Sequence, residues 1–382
     1  MIAGFTSTGS KHPRELFGVQ DGVPCRMVRS EGCRLWGTDG REYIDFIMAL
    51  GAVSLGYAHP VVTEAVERAV RDGGVGSLAP ALEQRVAERL CAAVPGAQAV
   101  RFLKSGTEAV AAAVRLARVH THREAIVTCG YQGWLDTFST APGVPQAVMA
   151  NRTPIPFNDI DALEVALGPG TDVAAVVIEP VVDGPPAADW VRAVNQSTRA
   201  HGAVLVLDEI KTCMRLGPGG GAARYGFEPD MIVLGKALGN GFPCAAVCGT
   251  SSVMSGVEQT WISSTLATEF VSLAAADAVL DVYDSEDIAR HLSWVGGSWY
   301  IGLEEVAASA PRIIEGVRGI PEFSYLQFVD DDTGCRVARR CAEFGMLFKR
   351  NAYNFVSAAH TPEVVKESLT CLGSVVEEVA YG

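Results

Sequence analysis

An acidic residue, Asp208, and a basic residue, Lys236, each follow a short apolar run of the sequence. Asp208 comes directly after Ala-Val-Leu-Val-Leu at 203–207, and Lys236 comes shortly after Met-Ile-Val-Leu at 231–234. Runs of this length and composition predict buried strands. Because the carboxyl ends of parallel strands meet at one edge of a sheet, we expect this carboxylate and this amine to face one ligand.

Pyridoxal 5'-phosphate suits such a pair, since its aldehyde condenses with a lysine amine and its ring nitrogen takes a carboxylate partner. The alternative is structural: Asp208 caps the next helix and Lys236 is solvated, as most charged side chains are. The sequence has six lysines among its 31 basic residues, which makes Lys236 easier to single out. The neighbouring motifs decide between the two interpretations.

A candidate phosphate anchor precedes this pair in the chain. Residues 104–108 read Lys-Ser-Gly-Thr-Glu, where a predicted strand ends and a predicted helix begins. Ser105 and Glu108 have the spacing of a capping box, so one interpretation is simply a well-capped helix. The other is a cradle in which Ser105, Gly106 and Thr107 offer backbone amides, hydroxyl groups and the positive end of a helix dipole to a phosphate.

Two further strand ends carry candidate site residues. Tyr131 follows the apolar run 125–129, and an aromatic ring there would stack on a planar ligand, although a half-buried core tyrosine is the commoner case. Glu179 precedes Pro180 at the end of the run 173–178, where a plain turn is the alternative. The glycine-rich stretch 217–221 lacks the spacing of a dinucleotide-binding or P-loop motif and predicts a loop.

The elements that must position these residues alternate between strand and helix from about residue 60 to residue 285, which predicts a mostly parallel sheet covered on both faces. Alternating apolar residues around Asp39-Gly40 predict a hairpin near the start of the chain. The end of the chain mixes helices and strands. We therefore expect an N-terminal part of a small domain at 1–55, a large α/β domain at 56–288 and a C-terminal small α+β domain at 289–382.

Composition narrows the function classes. The formal net charge is −13 and 48% of the 382 residues are hydrophobic, which predicts a full core and argues against nucleic acid or a membrane as a partner. No signal peptide or membrane span is predicted. The ten cysteines are scattered without Cys-x-x-Cys, so neither zinc nor another metal is expected, and reduced thiols predict a cytoplasmic protein.

Taken together, the motifs resemble those of the class III pyridoxal-phosphate aminotransferase family, in the branch of glutamate-1-semialdehyde 2,1-aminomutase and its aminotransferase relatives. The resemblance covers nearly the whole chain. It implies an aspartate aminotransferase-like fold of type I, with a central, mostly parallel, seven-stranded sheet and a small α+β domain from both chain ends. The segments that carry it are Gly56-Tyr-Ala-His-Pro60, Ser105-Gly-Thr-Glu-Ala109, Tyr131-Gln-Gly133, Glu179-Pro180, Asp208-Glu209, Gly235-Lys-Ala-Leu-Gly-Asn-Gly-Phe-Pro243 and Phe355-Val-Ser-Ala-Ala-His-Thr-Pro362.

The resemblance also implies a role for each site residue. Lys236 would form the Schiff base with pyridoxal 5'-phosphate and move protons, while Asp208 would pair with the ring nitrogen. Thr265 would reach the phosphate from the partner subunit of a homodimer with a shared active site. The remaining cofactor-binding residues implied are Ser105, Gly106 and Thr107 at the phosphate, Tyr131 and Ile210 on the two ring faces, and Glu179 close by.

Some positions depart from the aminomutase pattern. Residues 267–270 read Ala-Thr-Glu-Phe where the aminomutase has Ser-Gly-Asn-Pro, and Gln132 replaces the usual histidine. Glu269 and Phe270 would add a charge and a ring above the cofactor. The main expectation is therefore an aminotransferase acting on an amino donor and an aldehyde or ketone. An aminomutase, an amino-acid racemase and a non-catalytic relative are the alternatives, and Arg26, Arg29 and Arg34 are candidates for a substrate carboxylate.

Overall fold

The computed structural model describes residues 2–382, which form two compact units. One unit comprises the chain up to Pro60 together with Asp287–Gly382, and the other comprises Val61–Glu286. The sequence-based boundaries after residues 55 and 288 stay a prediction. Among residues 2–382, no helix combines the length and the apolar character that crossing a membrane requires.

Strands and helices alternate through most of the described chain. The strands are β1 Met27–Glu31, β2 Arg34–Gly37, β3 Glu42–Asp45, β4 Ala99–Leu103, β5 Ala125–Cys129, β6 Arg152–Pro154, β7 Val173–Ile178, β8 Val204–Asp208, β9 Met231–Leu234, β10 Ala245–Gly249, β11 Ile314–Ile320, β12 Phe323–Phe328, β13 Met346–Leu347 and β14 Asn354–Phe355. The helices are α1 Pro13–Phe17, α2 Met48–Gly51, α3 Pro60–Arg71, α4 Ala81–Ala93, α5 Gly106–Thr121, α6 Gln146–Met149, α7 Ile160–Ala166, α8 Ala188–His201, α9 Gly220–Tyr225, α10 Ser251–Met254, α11 Phe270–Ser285, α12 Ile288–Ser309, α13 Asp331–Glu343 and α14 Pro362–Tyr381.

A seven-stranded sheet forms the centre of the unit Val61–Glu286, with the strand order β4-β10-β9-β8-β7-β5-β6. The strands from β9 to β6 run parallel, while β10 is antiparallel to both of its neighbours. Every residue of β7, β8 and β9 is buried, as expected for strands covered on both faces. The predicted α/β fold of type I with a mostly parallel, seven-stranded sheet is confirmed.

Helix α5 packs one face against this sheet. Its residues Val110, Val114 and Ala117 are buried at helical spacing and share a core with Val177 of β7 and Val206 of β8. The capping box at Ser105 defines the first turn of the helix, because its hydroxyl and the carboxylate of Glu108 satisfy amides that lack partners within the helix. The core therefore fixes where the start of α5 lies relative to the strand ends.

The other unit mixes helices with two small sheets, as the sequence predicts. Strands β2 and β3 pair antiparallel around Asp39-Gly40, where Gly40 has a φ of 77°, so the predicted hairpin is confirmed. Strand β13 adds to β3 in parallel, and β11, β12 and β14 form a three-stranded sheet. Strand β14 is short, and only its residues Asn354 and Phe355 pair with β12.

A left-handed turn follows β3 in this unit. Met48, Ala49 and Leu50 have φ values of 45°, 51° and 61°, although none is glycine. The buried carboxylate of Asp45 supports the turn by accepting hydrogen bonds from the backbone amides of Ile47 at 2.7 Å and Met48 at 3.3 Å. Left-handed backbone at non-glycine residues is strained and persists only where its surroundings fix it. The sequence analysis did not foresee this turn.

Candidate active site

The sequence-predicted residues Asp208 and Lys236 lie at neighbouring strand ends of the large sheet. Asp208 is the last residue of β8 and pairs in register with Val233 of β9, three residues before Lys236. On the other side, Ile178 of β7 pairs with Leu207, which brings Glu179 beside Asp208. Parallel strands thus place two carboxylates and one amine along a single edge, where α/β proteins bind their ligands.

Asp208 is 2% exposed, and its Oδ1 accepts a hydrogen bond from the amide of Ile210 at 3.1 Å. Burial is the main cause that raises the pKa of Asp208 to about 8, and the negative charge of Glu179 is the second. The hydrogen bond from the Ile210 amide and the positive charges of Lys236 and Lys211 act in the opposite direction. A cation placed against this carboxylate would relieve the cost of its charge. The protonated ring nitrogen of a pyridine is such a cation.

Lys236 begins a short 3-10 turn, Lys236–Gly239, with a φ of 44°. Loss of hydration, followed by the positive charge of Lys211, lowers the pKa of Lys236 to about 8, although Glu179 and Asp208 act in the opposite direction. An amine with a lowered pKa is partly unprotonated near neutral pH, and only this form attacks an aldehyde. Lys236 as a residue is partly buried.

The first turn of α5 has the properties of a phosphate anchor. The backbone amide of Ser105 donates a hydrogen bond to Oε2 of Glu108 at 2.9 Å. The next two amides, at Gly106 and Thr107, belong to the first helical turn, where amides have no partner within the helix and point outward from its start. The hydroxyl of Thr107 is buried and has no hydrogen-bond partner within residues 2–382. A Cβ at Gly106 would collide with Ile210, and a Cβ at Gly133 would collide with Thr107. This close packing sets the turn directly beside the Asp208 segment.

The loop after β5 carries Tyr131. Its backbone amide donates a hydrogen bond to Oε2 of Glu179 at 2.9 Å, while its side chain is 70% exposed. The next residue, Gln132, is buried, and its Nε2 donates to the carbonyl of Cys129 at 2.8 Å. A Cβ at Gly130 would overlap Glu179, so glycine is required for the loop to pass this close. The backbone of Tyr131 is therefore held at the strand-end edge while its side chain stays exposed.

An ion pair at this edge was missed by the sequence analysis. Lys211 Nζ lies 2.9 Å from Oε1 of Glu179, and Lys211 is 7% exposed. Lys211 lies in the turn that follows β8, and its side chain is buried there. The available signal was its position three residues after Asp208. Glu209, by contrast, accepts hydrogen bonds from the amides of Gly221 at 2.8 Å and Ala222 at 2.6 Å, so its role is structural.

Thr265 is exposed and lies in the segment before α11. In the same segment, Glu269 caps α11 and its Oε1 lies 2.5 Å from Nζ of Lys104. Burial by itself would raise the pKa of Glu269, but hydrogen bonds from Lys104 and Ser272 outweigh it and lower that pKa. The charge that Glu269 was expected to add above the cofactor is therefore balanced by Lys104.

The three arginines proposed for a substrate carboxylate lie in the other unit. Arg29 pairs with Glu31 at 2.6 Å, and Arg34 pairs with Glu42 at 2.5 Å. Arg26 donates to the carbonyl of Phe5 at 2.9 Å and stacks on its ring. Each guanidinium thus already has a partner within the protein. The structure therefore does not support binding of a substrate carboxylate by any of these three arginines.

The site residues suit pyridoxal 5'-phosphate on three independent features. The unpartnered hydroxyl of Thr107 and the helix start suit its phosphate, the buried carboxylate of Asp208 suits its ring nitrogen, and the amine of Lys236 suits its aldehyde. Ile210 packs at Gly106 and the backbone amide of Tyr131 is held by Glu179, while the stacking of both side chains on a planar ring stays a prediction.

Comparisons with known proteins agree with this chemistry. The family model "Aminotransferase class-III" matches residues 18–373. Glutamate-1-semialdehyde 2,1-aminomutases from Thermomicrobium roseum and Sorangium cellulosum are 31% and 33% identical, covering 99% and 94% of this chain and 96% and 91% of those proteins. A solved structure described as a transaminase with PLP bound superimposes with a TM-score of 0.90 at 26% identity, covering all of this chain and 95% of that one.

The state of the Lys236 amine can be measured in protein stripped of cofactor. Because the amine has a pKa of about 8, its reaction with added pyridoxal phosphate should speed up as the pH rises and level off above about 8. Borohydride reduction and peptide mapping should then place the phosphopyridoxyl group on Lys236. A label on Lys211 instead, or a rate that still climbs towards pH 10, would contradict this assignment.

The phosphate anchor can be tested with Thr107→Val, which keeps the shape of the side chain and removes the unpartnered hydroxyl. Since no protein hydrogen bond is lost, the thermal midpoint of the cofactor-free protein should stay the same or rise. Affinity for pyridoxal phosphate should fall by about tenfold or more, because a hydrogen bond to a charged group is removed.

Thr121→Val is the matched control, since this threonine lies at the far end of α5 and its hydroxyl donates to the carbonyl of Ala117. It should leave cofactor affinity unchanged. Equal affinities of the Thr107→Val variant and the parent protein in a fluorescence titration would remove Thr107 from the anchor.

Proposed function

The chain belongs to the class III aminotransferases, and we propose that it moves an amino group from a separate donor to an aldehyde or ketone acceptor. It is a pyridoxal-phosphate-dependent enzyme, as the family and its solved transaminase relative indicate. What remains a proposal is the outcome of the reaction. The same cofactor chemistry would also serve an aminomutase, which both curated relatives are named.

The observation that favours transfer between separate molecules is the anchoring of the segment before α11. Glu269 both caps α11 and pairs with Lys104, the residue before Ser105. An aminomutase must keep its intermediate enclosed between two half-reactions, which favours a segment that opens and closes over the site. Residues 267–270, where the sequence departs from the aminomutase pattern, are here tied to the start of α5. This supports a site that exchanges its ligand freely with solvent.

Each step of the proposed reaction has a residue to perform it. When bound, the cofactor withdraws electrons from the substrate Cα and carries the amino group between half-reactions. Nζ of Lys236 takes the proton from Cα and returns it at the adjacent carbon, a transfer that its pKa of about 8 suits near neutral pH. The Asp208 carboxylate holds the proton on the ring nitrogen, and Gly106 and Thr107 hold the phosphate. Ile210 and Tyr131 keep the ring plane fixed.

We also propose a homodimer in the cytoplasm. Several large apolar side chains of the unit Val61–Glu286 are exposed, which is typical of a surface that a partner covers. They are Leu78 at 86%, Trp134 at 71%, Trp261 at 81% and Leu266 at 52% exposure. Leu266 adjoins Thr265, so a partner on this surface would bring Thr265 towards a second site. The ten free cysteines support a reducing compartment.

Transfer from a separate donor predicts a stoichiometric requirement for that donor. With an amino donor labelled with ¹⁵N, the label should appear in the aminated product, because the cofactor carries the donor's nitrogen to the acceptor. The measurement is mass spectrometry of the product over a panel of aldehydes and ketones. Isomerisation of glutamate 1-semialdehyde without a donor, at a rate typical of enzymes, would replace this proposal with the aminomutase.

The shared site of the homodimer predicts complementation between inactive variants. Thr265→Arg places a bulky cation where the partner's phosphate would lie, and Lys236→Ala removes the amine. Mixing the two should restore part of the activity, since hybrid dimers contain one site with neither change. Subunit exchange must be shown with differently tagged chains, and exchange without any recovery of activity would argue against a shared site.

A further inference from the structure

A buried ion pair, Glu179–Lys211, has no role in the reaction steps given above. Its two charged atoms are 2.9 Å apart, and the two residues are 8% and 7% exposed. Burying charges is costly, and a pair in the interior commonly contributes little to stability compared with apolar residues of the same size. Its placement at the edge that holds Asp208 and Lys236 points to an electrostatic role.

We propose that Lys211 is a positioning residue of the active site: it neutralises Glu179 and so keeps Asp208 ionised for the ring nitrogen of the cofactor. This inference rests on the proposed roles of Lys236 and Asp208. Glu179 follows β7 at the level where Asp208 ends β8, so two carboxylates lie side by side with little water around them. Without a nearby cation, each would favour protonation of the other.

Lys211 is suited to this task because its charge persists through the reaction. Lys236 also lowers the pKa of Asp208, but its amine is the group that bonds the cofactor and moves the proton, so its charge changes during turnover. Lys211 is engaged with Glu179 instead. Lys211 therefore supplies a constant positive charge beside Asp208, whereas the charge of Lys236 changes during turnover.

The same pair fixes the loop that holds Tyr131. One oxygen of Glu179 contacts Lys211 and the other accepts the amide of Tyr131 at 2.9 Å, so the carboxylate is clamped from both sides. Gly130 allows this approach, since a Cβ there would overlap Glu179. Loss of Lys211 would thus leave the negative charge of Glu179 uncompensated beside Asp208, with its carboxylate held only by the amide of Tyr131.

Two other ionisable groups face this edge and must stay constant in any test. Arg215 is fully buried and its charge also lowers the pKa of Lys236. Cys129 lies near Glu179, and burial followed by the charge of Glu179 raises the pKa of its thiol to about 12, so it stays neutral. The thiol of Cys129 therefore does not titrate between pH 6 and about 9, where the experiment is done.

The test compares Lys211→Met, Glu179→Gln, the double variant and Lys211→Arg as holoenzymes without substrate. The readout is the pH at which the absorption band of the bound cofactor changes as its bond to Lys236 gains a proton. Lys211→Met should move this inflection to higher pH by about one unit or more, since an unpaired negative charge favours the protonated form. Glu179→Gln should move it to lower pH by a similar amount.

The double variant removes both charges and should return the inflection close to that of the parent protein, while Lys211→Arg, which keeps the charge, should shift it little. Exchange of the Cα proton of a bound amine should be about tenfold slower in Lys211→Met, for a shift of about one pKa unit at Asp208, and recover in the double variant. If the Glu179–Lys211 pair were purely structural, proton exchange in the double variant would be at least as slow as in either single variant.

An unmoved inflection in Lys211→Met, or a double variant that keeps the shift, overturns the inference. Should Lys211→Met fail to fold, the comparison of Glu179→Gln with the double variant decides in the same way, because adding Lys211→Met must then reverse the downward shift. A parent protein whose band does not titrate, or whose cofactor is reduced onto a lysine other than Lys236, contradicts the proposed roles of Lys236 and Asp208 instead.

Discussion

The site depends on the burial of opposite charges where three parallel strands end. Strands β7, β8 and β9 lie side by side, so Glu179, Asp208 and Lys236 must share one edge of the sheet. Burial raises the pKa of Asp208 and lowers that of Lys236, each to about 8, which means that both groups lie near the balance between charged and neutral forms. Small changes in nearby charge therefore decide the protonation state of the whole group.

The apolar core is what keeps these charges in place. The strands are buried over their full length, and α5 packs its valines and alanines against them, so neither the strand ends nor the helix start is free to shift. Gly106 and Gly133 then let Ile210 and Thr107 approach more closely than any side chain would allow. A rigid scaffold of this kind holds a phosphate anchor, a ring partner and an amine at fixed separations, as cofactor chemistry requires.

The sequence predicted those parts of the site that depend on strand periodicity. Asp208 and Lys236 each follow an apolar run, and the capping box at Ser105 and Glu108 is a local pattern, so the sequence alone predicts their positions at strand and helix ends. Lys211 was missed because its burial depends on how the chain turns after β8 and on Glu179, which is 32 residues away. The left-handed turn held by Asp45 was missed for a related reason, since no glycine marks Met48, Ala49 or Leu50.

The residues proposed to contact the cofactor say little about which reaction follows. Asp208, Lys236 and Thr107 would serve a transaminase and an aminomutase equally, because both withdraw a proton from Cα and return it elsewhere. The difference lies in whether the ligand leaves between half-reactions, which is a property of the segments around the site. Here that segment is residues 263–269, and its last residue is held at once by the start of α11 and by Lys104. Since Lys104 adjoins the candidate phosphate anchor, this partly buried ion pair holds the segment in place beside the start of α5. A segment held in this way favours a site whose ligand exchanges with solvent, a property that is set separately from the proton transfers at the strand ends.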